Sequence, residues 1–356
     1  MKETRKHTKH VPRSGGIFDD RTTVLIVLGS LAALTVFALK GTTYDQFVAA
    51  NAFVFALLGL SLGLAWGHGG LWILGQAGFF GIGAYAYAIA GEQGIGSPWV
   101  QLLIAVTVSM CVAALIAVTL MRRLHGLYLA LATMILVFVA QDAASSWTAF
   151  TGGSNGLASI EPLSLHIGHV GFTMFDPVTA VVVCAGVLLA IYLALLVWIS
   201  SRFGAVVAAA REDAELATVL GYRVDVYRGL TLIVSGGIAG VAGVLYAIVQ
   251  QGVFPDAVGF TRSAEAVVWL LIGGTHFLAG PLVGALLLTI VQDRLSSSLQ
   301  EQWLLVQGIA IMVAALWLRN GLLGVVQSAR SLTLWRNHRP RRRGGALARG
   351  DRETVA

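Results

Sequence analysis

The feature that most limits how this chain can fold is a succession of long apolar stretches. They occupy about 22–39, 46–66, 71–90, 99–120, 127–148, 177–199, 228–250, 263–280, 281–295 and 303–320. Because roughly 20 apolar residues in a helix cross a bilayer, these stretches predict about ten transmembrane helices, the short ones at 263–280 and 281–295 being candidates for tilted, broken or re-entrant helices. Charged residues make up only 12% of the chain, against roughly 25% in soluble domains. The sequence therefore predicts an all-α, polytopic integral membrane protein.

The distribution of positive charge predicts how these helices are oriented. With a cytoplasmic N-terminus, 21 of the 24 Lys and Arg residues lie on the cytoplasmic side, and Lys40, Arg262 and Arg294 are left outside. This follows the positive-inside rule, so both termini are predicted to be cytoplasmic. We expect a basic tail at 1–21, a membrane domain at 22–327 and a basic tail at 328–356. The charged tails indicate orientation and contact with anionic membrane lipid rather than with nucleic acid.

A polar segment at 202–227 interrupts the apolar pattern on the predicted cytoplasmic side. It carries six charged residues between Arg211 and Asp225, and Gly221 follows its helical pattern. We predict one short amphipathic helix across the cytoplasmic mouth of the membrane domain, with Gly221 as its C-terminal cap. The residues alone leave two interpretations open. The helix receives force or a signal from a cytosolic partner, or it only solvates a loop between two spans.

The predicted outside loop at 149–176 is the longest non-helical segment between spans. It has no Lys or Arg and contains the sequence TGGSNG at 151–156. Glycine and asparagine at this density supply turns with positive φ. The candidate residues for an external gate or docking loop are Gly152, Gly153, Ser154, Asn155 and Gly156. The alternative is an ordinary surface connection.

Two glycine-rich stretches lie inside the predicted membrane domain. The pore or helix-packing candidates in them and near them are Gly75, Gln76, Gly78, Gly81, Glu265, Gly273, Gly274, Gly280 and Pro281. Small residues at helical spacing let helices approach closely, and Pro281 favours a helix break at which backbone could line a pore. Five predicted spans on each side of the outside loop lead to the hypothesis of two inverted five-helix halves. Tight packing alone is the alternative.

Residues for catalysis, metal binding or nucleotide binding are missing from the sequence patterns. No lysine lies in a P-loop pattern, the isolated His68, His125 and His276 show no metal spacing, and both cysteines lie in apolar stretches. We therefore expect a transport subunit that is not an enzyme and holds no metal or cofactor, so that a partner would bind any ATP and Mg. An ion-coupled transporter working alone is a competing hypothesis. It would need paired intramembrane carboxylates, for which Asp142 and Glu265 are the candidates.

Four stretches of the chain resemble one family of membrane proteins, the permease subunits of branched-chain amino acid ABC importers and the related urea and short-amide permeases. LGQAGFFGIGAY at 74–85 resembles the family's LGHAAFFGIGAY, and WTAFTGGSNGL at 147–157 resembles WTxxTGGSNGL. AREDAELA at 210–217, followed by Leu220 and Gly221, resembles the family's cytoplasmic segment. SAE at 263–265, followed by Gly-Gly at 273 and GPLVGA at 280–285, resembles the family's later motifs.

This resemblance implies an importer of branched-chain amino acids in the bacterial inner membrane, working by alternating access. It implies a second permease subunit, two cytoplasmic ATPases and an extracytoplasmic solute-binding protein as partners. The segment 202–227 would then be the coupling helix that contacts an ATPase through Arg211, Glu212, Asp213 and Glu215, with Gly221 at its end. Gln76 stands where the family commonly has His, and the surroundings of Trp66 and Trp303 look closer to the urea branch. Urea or a short amide is therefore the alternative substrate.

Overall fold

A computed structural model describes residues 18–299, except positions 159, 161, 168, 169, 175 and 276, together with residue 308. The helices in chain order are α1 (Phe18–Lys40), α2 (Thr43–Leu62), α3 (Gln76–Glu92), α4 (Pro98–Thr119), α5 (Leu127–Ser146), α6 (Thr148–Thr151), α7 (Pro177–Ser200), α8 (Arg202–Glu212), α9 (Ala214–Val219), α10 (Val224–Gln250), α11 (Phe260–Gly273) and α12 (Ala279–Leu299). Residues 1–17 of the tail predicted at 1–21, the whole tail predicted at 328–356 and, apart from residue 308, the span predicted at 303–320 lie outside the described residues.

Five helices in the described part of the chain are long and apolar enough to cross a membrane. They are α2 with the π-helical turn that follows it (Thr43–His68), α4, α5, α7 and α10. α1 adds a shorter apolar stretch, Val24–Lys40. These helices agree with the predicted polytopic membrane protein. The number of ten spans and the two inverted halves remain predictions.

Two of these helices form the centre of the fold. Within their most apolar windows, α2 is 89% buried and α10 is 78% buried, whereas α4, α5 and α7 are 28–33% buried. A helix that is apolar on all sides is stable either inside a protein or against lipid. α2 and α10 therefore make up the core of the described chain. Most of the apolar surface of α4, α5 and α7 is not covered by the rest of the described chain.

Glycines set how closely α3, α4 and α10 pack. A methyl group added at Gly83 of α3 would lie 2.6 Å from the Cα of Gly240, and one added at Gly240 would lie 2.7 Å from the Cβ of Ser109 on α4. The Ser109 hydroxyl donates a hydrogen bond of 2.8 Å to the carbonyl of Gly236. Small residues at a membrane helix interface permit this backbone approach.

The span predicted at 71–90 does not begin as a helix. α2 passes into a π-helical turn at Gly63–His68, an irregular segment follows at 69–75, and α3 begins only at Gln76. Gly70 has φ of 65°, a left-handed conformation that cannot continue a right-handed helix. The apolar composition of 71–75 was misleading because an apolar segment inside a protein has no need to be helical when other chain elements surround it.

The two short spans predicted at 263–280 and 281–295 differ in length from what the apolar pattern indicated. α11 has 14 residues, α12 has 21, and the break between them lies at 274–278 rather than at Pro281. Gly274 leaves the helix with φ of 109° and ψ of 129°. Pro281 lies inside the first turn of α12, where a missing N–H costs no helical hydrogen bond.

The chain is mostly helical, as predicted, and the segment predicted as the non-helical outside loop at 149–176 contains short strands. β1 (Leu157–Ala158) pairs with β4 (Gly252–Val253), and β2 (Ser164–Ile167) pairs with β3 (Val170–Thr173) in an antiparallel hairpin. The helical turn α6 opens the same segment. Short strands of two to four residues lack a readable alternation of apolar and polar residues, so the sequence pattern gave no signal for them.

Candidate functional site

Two helix breaks meet on one side of the central helix α2. A methyl group added at Gly63 would lie 2.7 Å from Cγ of Pro281, and one added at Gly67 would lie 2.8 Å from the carbonyl oxygen of Thr275. The break between α2 and α3 therefore packs against the break between α11 and α12. Backbone that is not helical at membrane depth occurs where it is covered by protein or lines a cavity. The two glycine-rich stretches that the sequence singled out are thus in direct contact.

Gln76 is the centre of a buried polar network at the first of these breaks. Its side chain is 1% exposed, and its Nε2 donates to the hydroxyl of Ser61 at 2.8 Å and to the hydroxyl of Ser235 at 3.0 Å. The Ser235 hydroxyl in turn donates to the Ser61 carbonyl at 2.7 Å. The Gln76 Oε1 has no partner among the described residues. The network joins α2, α3 and α10 near the start of α3.

The first turns of α3 and α11 lie side by side. The amide of Ala77 donates to the Ser263 hydroxyl at 3.1 Å, and a methyl group added at Gly81 would lie 2.8 Å from the Cα of Val258. Ala77 faces Ser263, while Gly81, four residues later in α3, faces Val258, five residues earlier in the chain. The two helices therefore start close together and run in opposite directions. Each N-terminus carries a positive partial charge, which makes this junction suited to an anionic or polar group.

The other glycine candidates of α3 lie against α5. A methyl group added at Gly75 would lie 2.6 Å from the carbonyl oxygen of Thr133, and one at Gly78 would lie 3.3 Å from Cγ2 of Val137. The Thr133 hydroxyl accepts a hydrogen bond of 3.2 Å from the amide of Leu74. These positions fit the helix-packing interpretation geometrically. Whether they also border a pathway for a solute stays a prediction.

The glycines at the second break bring α11 and α12 into backbone contact. A methyl group added at Gly273 would clash with the carbonyl oxygen of Gly280, and one at Gly280 would clash with that of Gly274. A methyl group added at Gly284, one turn later in α12, would clash with the carbonyl oxygen of Trp269. The two ends of the turn are therefore in backbone contact, with no room for a side chain at Gly273 or Gly280.

The two carboxylates proposed for an ion-coupled transporter are far from equivalent. Glu265 is buried in α11 and forms a salt bridge of 3.0 Å with Arg262, whereas Asp142 on α5 is exposed. The structure thus does not bring the two together as a pair of buried carboxylates. Glu265 instead has a cationic partner on its own helix, which the sequence analysis had only counted among the outside charges.

The cytoplasmic segment at 202–227 contains two helices, where one was predicted. Asp213 separates α8 from α9 with φ of −149° and ψ of 100°, and its carboxylate accepts a hydrogen bond of 2.9 Å from the amide of Leu216. An aspartate that caps the amides of a first turn starts a new helix. The prediction of a single helix was wrong because Asp213 was counted only as a surface charge.

Gly221 closes the segment in the way its position suggested. It has φ of 91°, its amide donates to the carbonyl of Thr218 at 2.9 Å, and the amide of Tyr222 donates to that of Ala217 at 3.2 Å. These two hydrogen bonds are those of a Schellman motif. α9 therefore ends at a defined turn that leads directly into α10.

One side of the segment is attached to the membrane domain. The guanidinium of Arg228, in the first turns of α10, donates to the carbonyl of Ala210 at 2.8 Å. Arg211 packs on the α2–α3 break, since a methyl group added at Gly70 would lie 3.1 Å from its Cγ. Partial burial lowers the pKa of Arg211, and the carboxylate of Glu212 opposes that shift. The segment thus touches the break that leads to Gln76.

The other side of the segment is exposed and partly apolar. Glu212, Asp213 and Glu215 are exposed. So are three apolar side chains of the same turns, Leu216 at 56%, Val219 at 84% and Leu220 at 68%. Exposed apolar groups rimmed by charges are typical of protein interaction surfaces. The sequence analysis named the charged residues and missed the apolar ones. The signal for them was the mostly apolar run LATVL at 216–220, which is too short to span a membrane.

The outside loop residues form a compact turn on the opposite end of the molecule. Gly152, Gly153 and Gly156 all have positive φ, and Ser154 and Asn155 between them are exposed. A methyl group added at Gly156 would clash with the carbonyl oxygen of Val253. The turn is therefore locked against β4 at the end of α10, and its two polar residues face outward.

Within the described residues, no group of three or more His, Cys, Asp or Glu side chains is arranged to hold a metal ion. His276, one of the isolated histidines, lies outside these residues. The polar groups described above can bind, orient and hydrogen-bond a solute or a partner. They do not form a nucleophile with a neighbouring base.

Comparison with known proteins identifies the family. The model of the family described as "Branched-chain amino acid transport system / permease component" matches residues 46–316. The chain belongs to this family of ABC transporter permeases. Members of this family are membrane permease subunits, which are not themselves enzymes. The match includes both helix breaks, the cytoplasmic segment and the outside loop.

Curated relatives of this permease carry the same description. It is 29% identical to the high-affinity branched-chain amino acid transport system permease protein LivM of Escherichia coli K12 over 319 residues, which cover 84% of this chain and 74% of LivM. It is 31% identical to LivH of the same system and organism over 134 residues, 37% of this chain and 43% of LivH. No solved structure matches the permease.

Proposed function

We propose that this chain is a permease subunit of an ATP-binding-cassette importer that carries branched-chain amino acids across the bacterial cytoplasmic membrane by alternating access. Two cytoplasmic ATPases that bind ATP and Mg, a second permease subunit and an extracytoplasmic solute-binding protein would complete the importer. Two different permease proteins of one transport system are similar to this chain, which supports pairing with a second permease.

The observation that carries the proposal is the two-sided arrangement of the cytoplasmic segment. Its exposed side offers Leu216, Val219 and Leu220 between carboxylates, and its attached side reaches Gly70 through Arg211. A partner that binds the exposed side can therefore move the break before α3. An ATPase that closes on ATP and opens after hydrolysis is the partner that the family provides.

Transport in this proposal follows from the contact between the segment and the break. Movement of α8 and α9 shifts Gly70, and residues 71–75 carry that shift to Gln76. The Gln76 network then exchanges its internal hydrogen bonds for bonds to water or solute. Such an exchange changes free energy little, because a typical hydrogen bond contributes only about 1 kcal/mol net. On the outside, the turn at 152–156 would contact the solute-binding protein.

Substitution of the exposed apolar residues tests the coupling surface. We expect Leu216→Ser combined with Val219→Ser to abolish ATP-dependent leucine uptake in cells that carry the complete importer, with the amount of chain in the membrane unchanged. Both side chains are exposed, so their loss should not destabilise the fold. The control is Arg122→Ala with Arg123→Ala, which changes exposed residues between α4 and α5 and should leave uptake normal. Normal uptake by the Leu216 and Val219 variant would refute the coupling surface.

Substrate and energy source need a separate measurement. Uptake of labelled leucine and labelled urea is compared in cells with and without this chain, its partners being present. Loss of leucine uptake alone supports the proposal, and loss of urea uptake alone assigns the chain to the urea and amide branch. Leucine uptake that persists when the partner ATPase has lost its P-loop lysine would instead indicate an ion-coupled transporter.

A further inference from the structure

An ion pair lies in α11 among buried aromatic side chains. Nη1 of Arg262 is 3.0 Å from Oε2 of Glu265, and the side chains of the two residues are 26% and 8% exposed. The Arg262 guanidinium carbon lies 4.9 Å from the centroid of the Phe55 ring on α2. The Arg262 side chain is therefore partly exposed, while the Glu265 carboxylate is enclosed.

The aromatic surroundings come from four helices. The ring centroid of Phe55 is 6.0 Å from that of Tyr246 on α10 and 5.5 Å from that of Trp269 on α11. The Tyr246 ring is a further 5.2 Å from Phe80 on α3. All four rings are buried. These four rings are tilted against one another and form an aromatic wall that meets the ion pair at Phe55.

The arrangement is a poor device for stability alone. A buried ion pair loses about as much in desolvation as it gains in attraction, and apolar replacements are often no less stable. Moreover, Arg262 and Glu265 belong to the same helix, so their salt bridge does not connect two helices. The salt bridge between Arg294 of α12 and Asp45 of α2 does connect two, at 2.7 Å, with side chains 57% and 17% exposed. The Arg262 guanidinium also contacts Phe55 of α2 and hydrogen-bonds to the Tyr246 hydroxyl of α10, so other helices hold the cation in place. Its salt bridge with Glu265 joins no helices, which leaves that salt bridge open to exchange.

We infer that Arg262 and Glu265 form a transit site for a zwitterionic α-amino acid; this inference rests on the proposed function and names the part of the substrate that is recognised. The carboxylate of the amino acid takes the place of Glu265 on the Arg262 guanidinium. The ammonium group binds the freed Glu265 carboxylate, and the apolar side chain lies along the aromatic wall. The exchange keeps the site electrically neutral, so no net charge enters the low-dielectric interior. Urea has no charges with which to compete for either group.

Single and double neutral variants separate this site from a structural pair. In cells with the complete importer, we expect Arg262→Gln and Glu265→Gln each to lower leucine uptake about 10- to 100-fold, as expected for loss of a hydrogen bond to a charged group. The double variant Arg262→Gln with Glu265→Gln leaves no unpaired charge, yet its uptake should stay as low. Arg294→Gln is the control at the other ion pair and should stay within about twofold, since exposed pairs contribute little.

A binding measurement tests the chemistry without the solute-binding protein. The purified complex of permeases and ATPases is melted with leucine, with 4-methylpentanoate, which lacks the ammonium group, or with 3-methylbutylamine, which lacks the carboxylate. We expect leucine alone to raise the melting temperature, and the double variant to lose this shift while folding normally. Equal shifts with all three compounds, or normal leucine uptake by the double variant, would overturn the site. Absence of leucine uptake by the unchanged importer would instead overturn the proposed function itself.

Discussion

The two helix breaks that meet beside α2 are built in different ways. The break between α2 and α3 consists of the π-helical turn and seven irregular residues, and side chains hold its end through the hydrogen bonds of Gln76 with Ser61 and Ser235. The break between α11 and α12 has five residues, and backbone contacts hold it at Gly273 and Gly280. The first break can exchange its hydrogen bonds for others. The second break has no room for an added methyl group at Gly273 or Gly280.

This difference assigns the two breaks different parts in any movement. Hydrogen bonds between side chains can be remade with water or solute at small net cost. A close backbone fit has only one arrangement, because an interior packed to crystal density resists deformation. The break before α3 is thus suited to open and close, and the α11–α12 turn is suited to act as the fixed surface against which it moves.

The largest effect is expected from a methyl group at the rigid break. Gly273→Ala places a Cβ on the carbonyl oxygen of Gly280, and overpacking of this kind should lower the free energy of unfolding by about 3 kcal/mol. The measurement is the melting temperature of the detergent-solubilised full chain. Gly186→Ala in α7 is the matched control, because no atom lies within 4 Å of the added methyl group. Equal melting of both variants would show that the second break is not rigid.

A smaller effect is expected from removal of the central amide. Gln76→Leu leaves the hydroxyls of Ser61 and Ser235 without their shared donor, which should cost about 2 kcal/mol of stability. The same melting measurement with Ser235→Ala and with the double variant completes a mutant cycle. If the network acts as a unit, the two losses should differ from additivity by at least about 0.5 kcal/mol. Additive losses would mean that Gln76 acts alone.

The smallest effect is expected at the edge of the adjustable break. Thr133→Val removes the hydroxyl that accepts the hydrogen bond from the amide of Leu74 and should cost about 1 kcal/mol. Thr107→Val is the control, because its hydroxyl bonds only to the carbonyl of Leu103 within α4. If the Thr133 variant were as stable as the Thr107 variant, the hydrogen bond between Leu74 and Thr133 would not stabilise the break.

The sequence predicted the long helices well because apolar length is a direct signal for a membrane span. It could not show where α3 begins, since the apolar residues 71–75 have the same composition whether they are helical or covered by protein. Asp213 was visible as a charge, but its role as a cap depends on the conformation around Leu216. Arg262 was counted as an outside charge. Its position beside Phe55 and Tyr246 depends on three helices that are far apart in the chain.

The shortness of α11 has a consequence for how this protein responds to its membrane. Fourteen residues rise only about 21 Å, roughly 9 Å less than the hydrocarbon thickness of a typical bilayer. β4 and the 3-10 turn Pro255–Ala257 precede α11 in the chain. Lipids with longer or shorter acyl chains would act on the uncovered helices α4, α5 and α7. The residues of the α3–α11 junction are buried within the described chain, so we expect hydrophobic mismatch to affect them least.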